Sequence, residues 1–279
     1  MGRKGYKGAV LAKKKYGQNF LNDKRVLSGI IECSGVGPKD HVLEIGPGRG
    51  ALTELLCENA AHVTAVEIDS DLIPVLNVVM TGYDNFRLIQ ADILKTDIEA
   101  IAKDTPEDGA FRVIANLPYY ITTPVITMLL EKRLPIDSIT VMVQKEVAER
   151  MAAAPGSRDC GAISLAVQYY AEMSIEIEVP PECFNPRPKV SSCVVNLIRR
   201  KEPPVMVKDE KLMFSLIRAS FNQRRKTLAN GLANGLGFPI EKADIINAIT
   251  SIGYPETVRG EALGLKEFAK LSDILGEYR

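Results

Sequence analysis

The chain is short of the residues on which metal and disulfide chemistry depend. Its 279 residues include two histidines, His41 and His62, and five cysteines, Cys33, Cys57, Cys160, Cys183 and Cys193. The cysteine number is odd and no pair is spaced Cys-x-x-Cys, which argues against a disulfide framework and against a zinc site. Two histidines cannot build a His-rich metal centre; each opens an apolar run, and strand-end surface positions are expected for both. No run of roughly 18 apolar residues occurs, so no membrane span is expected. The basic N-terminus lacks the apolar core of a signal peptide, which leads us to expect a cytoplasmic protein. Hydrophobic content of 46% and charged content of 25% are ordinary for a globular chain. The length suits one large domain and a smaller one.

Charge is balanced overall but not along the chain. Residues 1–25 carry eight bases (Arg3, Lys4, Lys7, Lys13, Lys14, Lys15, Lys24, Arg25) and one acid, Asp23. Residues 32–110 reverse this, with fifteen acids and five bases. A second basic cluster runs through Arg218, Arg224, Arg225 and Lys226, and smaller ones sit at Arg187/Lys189 and Arg199/Arg200/Lys201. Segregated positive blocks in a neutral protein point to a polyanion such as RNA or DNA. For the N-terminal run alone, a solvated basic tail is an equal reading.

Val42-Leu43-Glu44-Ile45 reads as a buried strand, Gly46-Pro47-Gly48-Arg49-Gly50 as a glycine loop, and Ala51-Leu52-Thr53 as a helix start. Strand, glycine loop, helix is the first unit of a dinucleotide-type α/β fold. Glycine lets the backbone pass close to a ligand. The next strand, Val63–Glu67, ends in an acid 21 residues after Gly46, placed to accept both hydroxyls of a ribose. A third, beginning at Phe86, runs to Asp92, where an acid can meet an adenine edge. A fourth, Phe111–Ala115, leads into Asn116-Leu117-Pro118-Tyr119. Every candidate lies at the carboxyl end of a strand, where open α/β sheets bind ligands.

The Asn116 segment suits one planar amino group. The Asn116 side-chain oxygen and a neighbouring backbone carbonyl can both accept hydrogen bonds from an –NH2. Pro118 removes a competing donor and fixes φ. Tyr119 offers a face on which a base can stack, worth roughly 1–3 kcal/mol. An isolated Asn-x-Pro-Tyr match is equally an ordinary strand-ending turn. Phe184 sits in an extended loop stiffened by Pro180, Pro181, Pro186 and Pro188, where it could cover a pocket or anchor the core. A nicotinamide oxidoreductase also fits the loose glycine pattern, but no second mononucleotide half or catalytic His/Lys constellation accompanies it.

Taken together, the motifs resemble the ribosomal small-subunit RNA adenine dimethyltransferases along nearly the whole chain. The resemblance runs from Lys14-Lys15-Tyr16-Gly17-Gln18-Asn19-Phe20-Leu21 through Glu44–Thr53, Glu67, Asp92, Asn116–Tyr119 and Gln144–Arg150 to Val179-Pro180-Pro181-x-x-Phe184-x-Pro186-x-Pro188-Lys189-Val190-x-Ser192. It closes with Phe221-x-Gln223-Arg224-Arg225-Lys226-Thr227-Leu228 and Arg259-x-Glu261-x-Leu263. It implies a Rossmann-like class I methyltransferase sheet with helices on both faces (residues 23–200), preceded by a basic arm and cofactor-closing motif (1–22) and followed by a small all-helical domain facing RNA (205–279).

The resemblance also implies roles. S-adenosylmethionine is the cofactor and S-adenosylhomocysteine its product, with no metal. Asn19 and Leu21 close over the cofactor, Gly46 meets its methionine end, Glu67 its ribose and Asp92 its adenine. Asn116 serves cofactor and target amine, with the Leu117 carbonyl as second acceptor, and Tyr119 and Phe184 sandwich the target base. Lys14, Lys15, Arg187, Lys189, Arg218, Arg224, Arg225 and Lys226 meet RNA. The expected substrate is 16S rRNA in the immature small ribosomal subunit, dimethylated at N6 of two adjacent adenosines near its 3′ end by a monomer. Methylation of 23S rRNA or DNA adenine, and an assembly role with dispensable catalysis, are the alternatives. The helical stretches expected after Pro203-Pro204 are Leu212–Ile217, Leu228–Leu236, Ala243–Ile249 and Leu265–Leu275, with apolar spacing i, i+3, i+4.

Overall fold

The structure is a computed structural model that describes residues 12–13, 17–236 and 240–278. Lys14 and Lys15 lie outside the described residues. The chain forms two compact units, one drawn from Met1–Ala148 with Glu172–Arg199, the other from Glu149–Ala171 with Arg200–Arg279.

The first unit contains β1 (Phe20–Leu21), α1 (Lys24–Ser34), β2 (His41–Ile45), α2 (Ala51–Asn59), β3 (His62–Glu67), α3 (Ile73–Val79), β4 (Phe86–Gln90), α4 (Ile98–Ala102), β5 (Phe111–Asn116), α5 (Thr122–Glu131) and β6 (Ser138–Gln144). Helix α6 (Lys145–Ala152) leads out of it and α7 (Ala162–Tyr170) belongs to the second unit, after which β7 (Ala171–Val179), β8 (Phe184–Asn185) and β9 (Ser192–Arg199) complete the first. Seven strands form one sheet in the order β4-β3-β2-β5-β6-β9-β7. Strands β4, β3, β2, β5 and β6 are parallel, and β9 runs antiparallel to β6. The central strands read as unbroken apolar runs because both sheet faces are covered: every residue of β2 is buried. The chain steps outward from β2 to β3 and β4, then returns to β5 and β6. Right-handed crossovers therefore place the connecting helices on opposite faces and open a crevice where the order reverses, between β2 and β5.

His41 departs from the surface position expected of it. It is only 1% exposed; its ring lies edge-on to Phe111 at 5.3 Å and its Nε2 is 2.9 Å from Thr64 Oγ1. Burial, reinforced by the neighbouring His62, lowers its pKa to about 4 and keeps it neutral. Position 41 is the first residue of a central strand, so its neighbours on β3 and β5 cover it.

In the second unit α8 (Glu210–Asn222) is the hub. It buries Leu212, Met213, Phe214, Leu216, Ile217, Ala219 and Ser220 and packs with α7, α9 (Leu228–Gly235) and α11 (Leu265–Leu275), while α10 (Lys242–Ser251) packs on α9 and α11. Asp209 caps α8 through Leu212 N. Tyr169 and Tyr170 of α7 both donate to the Glu210 carboxylate, at 3.1 and 2.7 Å, and Tyr170 stacks on Phe214. Those contacts group α7 with the C-terminal helices, across the Pro203-Pro204 segment at which the sequence changes character.

Asp40 ties the lower end of the sheet together. Its carboxylate accepts from Gly37 N, Ala110 N and Arg112 Nε, the last at 2.6 Å. Burial alone would raise its pKa; the Ala110 N–H, the Arg112 guanidinium and the Gly37 N–H outweigh burial and lower it. Its stabilising contribution is therefore present above the ordinary value of 3.8 and is lost as pH falls through the lower folded value. Replacing Asp40 by Ala strands three donors, and the expected cost at neutral pH is roughly 2–4 kcal/mol. Urea unfolding at pH 7 and at pH 3 checks this: the gap between the wild type and Asp40→Ala should be smaller at the lower pH.

Candidate active site

A cleft opens at the carboxyl ends of β2, β3 and β5, lined by the glycine loop, Glu67, Asp92, Asn116–Ile121 and the Gly17–Asn22 segment. The cleft brings together Asn19, Leu21, Gly46, Glu67, Asp92, Asn116, Leu117 and Tyr119. Gly46 continues the ladder by donating to Val66 O at 2.9 Å and adopts φ +69°. Gly48 has φ +60°, and a Cβ there would meet the Phe20 ring at 3.1 Å. The left-handed φ favours glycine at this position, and the Phe20 ring would have to give way to a side chain there. The Arg49 guanidinium lies over the other part of this corner, 4.3 Å from the Phe20 ring centre.

Glu67 ends β3 and is buried. Its carboxylate accepts from Asp69 N at 2.8 Å and Gly48 N at 3.4 Å. Burial raises its pKa, with those N–H groups opposing. Asp92 stands two residues beyond β4 rather than at its end and caps a short 3-10 turn through Leu94 N at 3.0 Å. Asp69, just past Glu67, receives Gln18 Nε2 at 2.9 Å and Lys13 Nζ at 2.6 Å. The loop after β3 thus grips the segment that carries Asn19 and Leu21.

Asn116 Nδ2 donates to Asn19 O at 3.2 Å, which turns its side-chain oxygen the other way. Pro118 O is claimed by Ile121 N at 3.1 Å and Thr122 Oγ1 at 3.2 Å, so the local turn uses this carbonyl and not that of Leu117. Tyr119, half-buried, is tethered through its hydroxyl to Ser192 Oγ at 2.8 Å. Phe184 is not brought to the cleft. It pairs with Leu21 in the β1–β8 ladder and is 5% exposed, inside an apolar cluster with Leu27, Val179 and Cys183. Pairing with Leu21 turns its ring inward, and in this arrangement it anchors the core and offers no stacking face.

The basic residues divide. Arg187, Lys189, Arg218, Arg225 and Lys226 are exposed, and Arg187 is paired with Glu182. Arg224 is exposed too, but donates to Arg158 O at 2.6 Å and Cys160 O at 3.0 Å, bracing the second unit internally.

Glu44 is the site residue that sequence reasoning passed over. It was visible as an acid inside an apolar strand and as the first residue of the Glu44–Thr53 motif, without a role. It lines the cleft, is 1% exposed, and its Oε2 has no hydrogen-bond partner. Thr53 Oγ1, likewise without a partner at hydrogen-bond distance, opposes the effect of burial only in part. Burial pushes Glu44 up to about 8, and the Glu67 charge adds to the rise. An orphaned acid beside the glycine loop, with Glu67 and Asp92 at the neighbouring strand ends, fits a cofactor that carries an ammonium, a ribose and an adenine, as S-adenosylmethionine does. Among the described residues no cluster of His, Cys, Asp and Glu is arranged to hold a metal.

The Glu44 environment gives a testable pH dependence. Between 4.5 and about 8 the folded protein binds more protons than the unfolded chain, so the stability of the ligand-free protein falls as pH rises through that window. Glu44→Gln removes the titrating proton and should flatten the fall, with a gain on the order of 2 kcal/mol at pH 7. Melting curves at pH 5 and pH 7 check it; an unchanged slope would mean that the carboxyl is solvated or paired.

Comparison with known proteins agrees with this geometry. The family model for ribosomal RNA adenine dimethylase matches residues 9–258. The chain is 56% identical over 265 residues to the ribosomal RNA small subunit methyltransferase A of Lachnoclostridium phytofermentans, covering 95% of this chain and 91% of that protein. It is 48% identical to the protein of the same description from Geobacillus thermodenitrificans, over 94% and 90% of the two chains. Among solved structures, a dimethyladenosine transferase from Plasmodium falciparum superposes with TM-score 0.72 at 27% identity, over 90% of this chain and 95% of that one. The 23S rRNA methyltransferase ErmE superposes with TM-score 0.64 at 26% identity, over 92% and 100%. The sheet is thus that of the Rossmann-like class I methyltransferases, and the chain belongs to the ribosomal RNA adenine dimethylase family, whose members are S-adenosylmethionine-dependent methyltransferases.

Proposed function

We propose that this protein methylates N6 of two adjacent adenosines near the 3′ end of 16S rRNA, twice each, during maturation of the small ribosomal subunit. The observation that carries this reading is the Asn116 amide held by Asn19 O in the lining of the cleft, beside Leu117 at the end of β5. S-adenosylmethionine supplies the methyl group as an electrophile on its sulfonium. Glu44, Gly46, Glu67, Asp92 and the Asn19–Leu21 segment would hold it. The adenine N6 lone pair is delocalised into the ring and is a weak nucleophile. Two acceptors on its hydrogens fix the amine and stabilise the positive charge that develops during attack. The alkylated amine is acidic enough to lose a proton to water, so no dedicated base is required. Tyr119, locked by Ser192, supplies the stacking face once the base has left its helix.

Likeness to ErmE makes methylation of 23S rRNA the competing reading. Assays on naked 16S rRNA, naked 23S rRNA and immature small subunits separate the two, and transfer to the immature subunit is the expected result.

Asn116→Ala should lower kcat by roughly 10²–10³, the usual effect of losing one preorganised group at a developing charge, while RNA affinity stays within about twofold. Equal losses in kcat and affinity would reduce Asn116 to a binding residue. For the basic edge of the second unit, Arg225→Glu with Lys226→Glu should flatten the log–log salt dependence of RNA binding by about 2 and leave the melting temperature unchanged. Arg224→Ala should lower the melting temperature, because the Arg158 and Cys160 carbonyls lose their donor. Salt titrations and melts on the two variants distinguish RNA contacts from the internal brace.

A further inference from the structure

Asp69 is a buried carboxylate whose main partners are distant in the chain. Its side chain, in the loop after β3, is 1% exposed. Oδ1 accepts from Lys13 Nζ at 2.6 Å and from Asp71 N at 3.2 Å, and Oδ2 accepts from Gln18 Nε2 at 2.9 Å. Gln18 is held at its other end too, because its Oε1 accepts from Lys13 N at 2.8 Å. The Asp69 backbone N–H meanwhile donates to the Glu67 carboxylate at 2.8 Å. One residue thus joins the acid that ends β3 to the segment that begins at Gly17 and lines the cleft. Desolvation makes a buried ion pair a poor source of stability, so the geometry it fixes is the better account of its presence. The residue after Gln18 is Asn19, whose carbonyl receives Asn116 Nδ2 at 3.2 Å. The far end of the segment has its own anchor, since Phe20 and Leu21 pair with Asn185 and Phe184.

We propose that Asp69 is a positioning residue for methyl transfer: through Gln18 it sets where Asn19 lies, and through the Asn19 carbonyl it sets the angle of the Asn116 amide. The proposal rests on the reading of Asn116 as an acceptor for the target amine. In this role Asp69 touches neither cofactor nor base. Without its carboxylate the segment keeps the anchor at β1 and loses the one at Gln18, so it pivots and does not detach. Cofactor binding must then first recruit the segment, which lowers the apparent affinity by the fraction of molecules already in place. Turnover falls as well, because an amide without a fixed partner is no longer preorganised toward the developing charge. The same small network therefore serves both the closing of the cofactor cleft and the grip on the amine.

The test uses the full-length protein with Asp69→Ala, Gln18→Ala, Asn116→Ala and their double variants. S-adenosylhomocysteine affinity is measured without RNA, and single-turnover methyl transfer to immature small subunits is measured with the cofactor at saturation. Asp69→Ala and Gln18→Ala should each weaken S-adenosylhomocysteine binding about tenfold, and the two together should weaken it no more than Asp69→Ala alone. Transfer should slow about tenfold in Asp69→Ala, but less than about twofold when Asn116 is already alanine. A merely structural role would slow transfer equally in both backgrounds. That equality would overturn the proposal, as would losses that multiply between Gln18 and Asp69 or an unchanged S-adenosylhomocysteine affinity. Gln18→Ala leaves Asp69 its Lys13 and Asp71 partners, so the same comparison with Asn116 decides the question should Asp69→Ala melt early. The reading of the site is judged separately, by whether the wild type places label on adenine N6. The affinity cycle needs no RNA and holds its meaning whichever way that falls.

Discussion

One hydrogen bond orders the chemistry of this site. Asn116 Nδ2 donates to Asn19 O, and that bond links the end of a central strand to a segment nearly a hundred residues earlier. The amide cannot rotate without losing it, so its oxygen stays aimed at whatever enters beside Leu117. The Asn19 segment is in turn held by Gln18 and Lys13 on Asp69 and by Leu21 against Phe184. A preorganised acceptor is worth most where solvent is excluded. The sheet supplies that setting by ending its parallel strands around the crevice where their order reverses.

The same constraint accounts for the concentration of acids. Glu44, Glu67 and Asp69 are all buried near the glycine loop. Glu67 and Asp69 are satisfied by backbone N–H groups and by Lys13 and Gln18. One oxygen of Glu44 is not, and its raised pKa expresses chiefly the cost of burying the carboxyl. Such a residue is tolerated where a cationic ligand completes it.

Much of this was legible before any coordinates. The strand, glycine loop and helix around Gly46, the acid at Glu67 and the loop at Asn116 depend on local pattern, which a sequence displays directly. The four C-terminal helices were marked by apolar residues at helical spacing. What stayed hidden depends on partners distant in the chain. His41 looks like a strand-end surface residue until β3 and β5 close around it. Phe184 is an aromatic in a proline-stiffened loop, and only its pairing with Leu21 turns it inward. Arg224 sits among Arg225 and Lys226 as one more cation, yet the Arg158 and Cys160 carbonyls claim it. Tyr169 and Tyr170 drew no reading in sequence, and Glu210, forty residues on, assigns them to the helical unit.

The central claim is that the strand-end loop grips an exocyclic amine. The most direct measurement is mass spectrometry of nucleosides released from immature small subunits after incubation with this protein and isotopically labelled S-adenosylmethionine. The account predicts label in N6,N6-dimethyladenosine. Label on a ring nitrogen, a ribose hydroxyl or a base without an exocyclic amine would contradict it.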